Sequence, residues 1–105
     1  MKNYIAERRL LYSLKGSHTR KEFIIRIGVP YAVENIAGSP VVESCAGCHV
    51  EIEGLDEKYS EVYGGDSIQA IHLASNIDPF LERLRKKYDL YWLSGEPYFE
   101  TSNEV

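Results

Sequence analysis

The chain has 105 residues, 44% apolar and 27% charged, which is the size of one domain with ordinary globular composition; it excludes a disordered chain and leads to a single domain over 1–105. No apolar run approaches the roughly 18 residues that cross a bilayer, charge returns too early at Glu7 for a secretory stretch, and two cysteines cannot build a secreted disulfide framework, so a cytoplasmic protein with no membrane contact is expected. The net charge of −4 is uneven: residues 1–26 hold seven basic against two acidic groups, whereas 43–66 hold seven acidic groups against Lys58 alone, a segment that would repel phosphate and disfavours nucleic acid as a partner.

Tyr4, Ala6, Leu10, Tyr12 and Leu14 share one parity, interrupted by Arg8, and predict a long strand with one buried face. Lys15-Gly16-Ser17-His18-Thr19 reads as a turn. Phe23, Ile25, Ile27 and Val29 then alternate again, so the simplest expectation is a β-hairpin that stops at Pro30. Tyr31 to Pro40 reads as a loop, with Asn35, Gly38, Ser39 and Pro40 as breakers. Val41 to Glu53 returns to β character. Cys48, Val50 and Ile52 are expected inside, with His49, Glu51 and Glu53 on an acidic outer face, and Gly54 ends the run. Lys58 to Tyr63 adds a short strand.

Asp66 is placed to cap a helix, with Gln69 three residues on to reach back. Ala70, Leu73, Ile77, Leu81, Leu84 and Tyr88 follow as one apolar stripe. Pro79 interrupts it and predicts a kink, or a restart capped by Asp78. Arg83, Arg85, Lys86 and Lys87 suit the negative end of the helix dipole. Leu90 to Leu93 is a final strand and Thr101–Val105 a frayed tail. The order β-β-β-(β)-α-β predicts an α+β fold: a mostly antiparallel sheet with one long, Pro-kinked helix packed on one face. The expected core is Leu10, Phe23, Ile25, Ile27, Val50, Ile52, Leu73, Ile77, Leu84 and Trp92.

Few motifs carry chemistry. Cys45-Ala46-Gly47-Cys48-His49 matches the haem-attachment pattern, but Met1 is the only methionine and His49 falls in a strand. Glu51 and Glu53 beside the thiols oppose the lowered pKa of a redox pair. Zinc would need a fourth ligand from distant His18 or His72, and adjacent Cys48 and His49 point to opposite faces. Gly64-Gly65-Asp66-Ser67 lacks the remainder of any nucleotide signature and reads as a tight turn into a capped helix. No G-x-S-x-G or H-E-x-x-H is present. The expectation is therefore no catalytic residues, no metal and no cofactor. A small enzyme would need to gather distant residues such as His72, Glu53 and Cys48.

The segments Cys48-His49-Val50-Glu51-Ile52-Glu53-Gly54-Leu55, Gly65-Asp66-Ser67-Ile68-Gln69-Ala70-Ile71-His72-Leu73-Ala74 and Tyr91-Trp92-Leu93 resemble a family of small, uncharacterised bacterial domains. Ala6-Glu7-Arg8 and Ile25-Arg26-Ile27-Gly28-Val29-Pro30 extend the likeness, and Gly-Asp-Ser-x-Gln-Ala is its most specific part. Such domains are similar to immunity proteins, including those of contact-dependent growth inhibition, which cover a cognate toxin domain, often a nuclease. The resemblance implies a non-catalytic immunity protein that binds a basic RNase or DNase toxin, and because one modest core uses up the apolar residues, a monomer or weak dimer is expected. The residues that would carry it are Glu51, Glu53, Asp56, Glu57 and Glu61, a carboxylate cluster able to stand in for phosphate, with Tyr59 and Tyr63 as aromatic anchors. The alternative is an intracellular regulatory or binding domain with another partner.

Overall fold

The computed structural model describes residues 3–36, 39–59 and 61–99. Along the chain run β1 (Tyr4–Leu14), β2 (Lys21–Gly28), β3 (Tyr31–Ile36), β4 (Ser39–Cys48), β5 (Val50–Glu53), β6 (Val62–Gly64), α1 (Ser67–Ser75), α2 (Asp78–Leu84) and β7 (Tyr88–Tyr91). They form an α+β fold of two antiparallel sheets and a bent helix. One sheet has the order β5-β2-β1-β7, the other β3-β4-β6. The frayed tail expected at Thr101–Val105 lies outside the described residues.

The first hairpin forms as its alternation requires, with Leu10 opposite Phe23 and Glu7 opposite Arg26. Leu10, Phe23, Ile25, Ile27 and Val50 are buried on the face that meets the helices, and Tyr12 packs edge-on against both Phe23 and Tyr88 at 5.7 and 5.3 Å. Leu14, expected on the buried parity, is exposed, while Ser13 is buried on the opposite face against the Tyr91 hydroxyl at 3.2 Å.

The expected loop at Tyr31–Pro40 is instead part of a second hairpin. Tyr31 pairs with Gly47, Val33 with Cys45 and Asn35 with Pro40. Asn35, Ser39 and Pro40 are strand residues of that hairpin, and Gly38 lies outside the described residues. Pro40 is tolerated because β6 pairs only with Ala46–Cys48 and leaves that end of β4 without a second neighbour among the described strands. The run expected to be continuous from Val41 to Glu53 breaks at His49, where the chain leaves one sheet for the other. Gly54 ends β5 at φ +91°, and a Cβ there would stand 2.8 Å from the Glu22 carbonyl oxygen.

Asp66 caps α1, its Oδ1 accepting from Gln69 N–H at 2.8 Å, and the Gln69 side chain returns a bond to Gly65 N–H. The helix restarts at Pro79. Proline cannot serve the Ser75 carbonyl, and that oxygen accepts from Ile77 N–H at 2.9 Å in a tight turn. Asp78 does not cap the second segment as expected. No side chain caps it, and the Asp78 carboxylate accepts from Tyr98 Oη at 2.8 Å.

Two expected core residues are outside. Leu73 is 41% exposed and Trp92 40%. Leu73 is displaced because α1 presents alanines to the sheet. Ala70 and Ala74 are fully buried, and a Cβ on Gly64 would meet Ala70 N at 2.6 Å, an approach that larger side chains would prevent. Trp92 lies past the end of β7, where its N–H turns to Glu96 O. Phe80, Leu81, Tyr88 and Leu90 complete the core in their place.

Candidate functional site

The chain passes between the sheets at 28–31 and again at His49. The two passages are tied together: Gly28 N–H donates to His49 O at 2.8 Å, and the buried Cys48 thiol donates to Gly28 O at 3.2 Å. Beside this junction opens a cleft of about 510 Å³, lined by Tyr4, Val29, Pro30, Tyr31, His49 and Glu61 among others. Ligand clefts favour such junctions, where side chains from separate elements converge.

Glu61, just before β6, joins two other lining residues of the cleft. Its Oε2 accepts from the Tyr31 hydroxyl and its Oε1 pairs with His49 Nδ1. Tyr31 is steered there by the register. It pairs with Gly47, and a Cβ at 47 would lie 2.5 Å from the phenol ring, so only glycine lets the ring cross the strand. The bond to Glu61 raises the Tyr31 pKa well above its usual 10.0; burial and the carboxylate charge add to this, as does neighbouring Tyr63. The cleft is open: its lining residues Val29 and Tyr31 are 46 and 43% exposed, and Tyr63, beside Tyr31, is 46% exposed. The outcome is a carboxylate held at a fixed point in a cleft that also presents exposed aromatic and aliphatic side chains.

The seven residues expected to bind a partner are divided. Glu61 and Tyr63 are in the cleft region. Glu51 adjoins it, accepting from the Tyr4 hydroxyl. Glu53 lies on the outer face of the first sheet, where Arg26 bonds to it and also reaches Glu7 at 3.4 Å and Glu51 at 3.6 Å. This face is a ladder of alternating charge, since Arg9 continues it between Glu7 and Glu22. Glu57 is at the other end of the molecule, accepting from Lys87 Nζ at 3.2 Å and Tyr88 Oη at 3.3 Å. Asp56 is exposed on that side too, lining a separate hollow with Tyr12 and Lys21. Tyr59 is turned onto Phe80 with ring centroids 5.0 Å apart. The acidic segment is therefore several local ion pairs rather than one patch.

Tyr4, Tyr31 and His49 join the site although none of them was expected there from the sequence. Cys45-x-x-Cys48-His49 did single out His49, but for metal chemistry. Both thiols are free; burial, and then the charge of Glu61, pushes the Cys48 thiol above its usual range. The enzyme grouping considered above is not assembled: His72 is exposed on α1, Glu53 sits with Arg26, and Cys48 faces the core. Among the described residues no group of three His, Cys, Asp or Glu side chains is arranged to hold a metal ion, and no helix is long and apolar enough to cross a membrane. No family model, curated protein or solved structure matches the chain.

Proposed function

We propose that the protein is a non-catalytic, cytoplasmic binding protein of the immunity kind, which neutralises a cognate bacterial toxin domain by seating a basic part of it on the surface around Glu61. The observation that supports this reading is the fixed Glu61 carboxylate in a cleft with exposed Val29 and Tyr31, Tyr63 lying beside Tyr31. A side chain already held by Tyr31 and His49 loses little freedom when it binds. Tyrosine rings around a charged centre supply the apolar area that dominates interface energetics. A nuclease holds phosphate through basic groups, and the carboxylate offers those groups a substitute anion.

The His49–Glu61 pair also has the form of a base and its orienting carboxylate. The binding reading is preferred because Cys48, the thiol next to His49 in the chain, is bonded inward to Gly28 O.

The test is capture of partners by the tagged chain from its host lysate, eluted with a salt step. The expected result is a basic toxin domain encoded beside this gene, released as salt rises and lost with Glu61→Lys. Recovery of no such domain, or its undiminished capture by Glu61→Lys, would overturn the proposal.

A further inference from the structure

β1 is 11 residues long, but β7 pairs only with Leu11–Leu14 along the edge facing away from β2. From Ala6 to Leu10 no other strand among those described pairs with that edge. The open window has clear bounds. A register irregularity between Tyr4 and Ala6 closes one end, and Tyr91, opposite Leu11, closes the other. Its middle residue is Arg8.

We propose that this edge pairs with the same edge of a second copy of the chain, antiparallel about a two-fold axis at Arg8, so that two four-stranded sheets become one. A strand edge is a row of backbone donors and acceptors that another chain can complete. A two-fold contact uses the same patch on both copies, so the window must be complementary to itself. It is. An axis at Arg8 places Glu7 of each copy opposite Arg9 of the other, twice by symmetry. These side chains already lie on one face, with Arg9 Nε 2.9 Å from Glu7 Oε2. The pairing therefore extends the charge ladder of the outer face into a second molecule.

Charge also selects this register over its neighbours. Keeping the same faces together requires moving the pairing in steps of two. One such step sets Glu7 against Glu7, and the opposite step sets Arg9 against Arg9. Both give up the two Glu7–Arg9 pairs and leave a like-charge pair uncompensated, whereas the axis at Arg8 offsets its one like-charge pair, Arg8 with Arg8, by two opposite-charge pairs. Arg8 meets its own copy at the axis on the other face. Its guanidinium is held within each chain by Tyr98 Oη at 2.8 Å and by the Trp92 ring at 5.4 Å. Ile5 and Trp92, 48 and 40% exposed, flank the seam and supply apolar cover. The contact does not depend on the Glu61 cleft.

Sedimentation of the full chain over a concentration series tests it, together with Glu7→Arg and Arg9→Glu. The expected result is a reversible monomer–dimer equilibrium in the parent. Each variant alone should self-associate about tenfold more weakly or worse, because two opposite-charge pairs become like-charge pairs. The two variants mixed should form a heterodimer, since positions 7 and 9 are then both basic in one chain and both acidic in the other. As a second readout independent of those charges, Arg8→Cys in a Cys45→Ser background should cross-link into disulfide dimers on mild oxidation, whereas Leu14→Cys in the same background should not. A parent that stays monomeric at every concentration, a mixture no more associated than its components, or cross-linking at position 14 but not at 8 would overturn the proposal. The charges would then be guards that keep the edge solitary.

Discussion

Tyr31 donates its phenolic hydrogen to Oε2 of Glu61 across 30 residues of chain, joining the start of β3 to the segment before β6. With His49 on the other carboxylate oxygen, the bond ties both passages between the sheets to one point. The folded protein holds the Tyr31 proton more tightly than the unfolded chain, which releases it near pH 10.0. This contribution to stability is therefore complete below that pH and is lost as pH rises beyond it. Tyr4, Tyr88 and Tyr98 are also raised, so an alkaline titration followed by tyrosinate absorbance should show several late-ionising tyrosines, and the latest of them should disappear in Tyr31→Phe. Ionisation of every tyrosine near its ordinary value would contradict the bond.

Gly47→Ala places a methyl group where the Tyr31 ring crosses the strand. The ring must move away from Glu61, and the expected loss of stability is about 1–3 kcal/mol. Urea denaturation measures it. The latest tyrosine ionisation should shift toward the ordinary range in the same variant.

Arg26 lies among Glu7, Glu51 and Glu53. Arg26→Leu leaves three carboxylates facing one another on the outer face. The urea midpoint should fall, and it should recover in part as salt screens their repulsion. An unchanged midpoint at low salt would show that the ladder contributes nothing to the fold.

Leu81 and Leu73 belong to the same apolar stripe in the sequence, yet Leu81 is fully buried and Leu73 41% exposed. Leu81→Ala should cost about 2–5 kcal/mol through the cavity it leaves. Leu73→Ala should stay within about 0.5 kcal/mol. Equal costs would mean that α1 turns its leucine, not its alanines, to the sheet.

That contrast shows where the sequence was readable. The first hairpin and the Asp66–Gln69 cap depend on neighbours in the chain, and alternation and spacing reveal them. The second hairpin was hidden because Asn35, Ser39 and Pro40 look like loop breakers although they lie in its strands, and Tyr31 and Val33 make too short a run to outweigh them. The ion pairs of Glu53 and Glu57 join residues 27 and 30 positions apart, so only the strand register and the packing of the α2 end bring them together. The cleft is the same kind of case. The charge of Glu61 is visible in the sequence, while Tyr31 and His49 become its partners only where the two passages meet at Gly28.

The most direct test of the binding account is growth of cells that express whichever toxin domain the chain captures from its host lysate. They should survive with the parent protein and with Glu57→Lys, whose carboxylate is far from the cleft and bonded to Lys87 and Tyr88. They should die with a folded Glu61→Lys. Protection by Glu61→Lys equal to that of the parent, or no protection by the parent, would contradict the account.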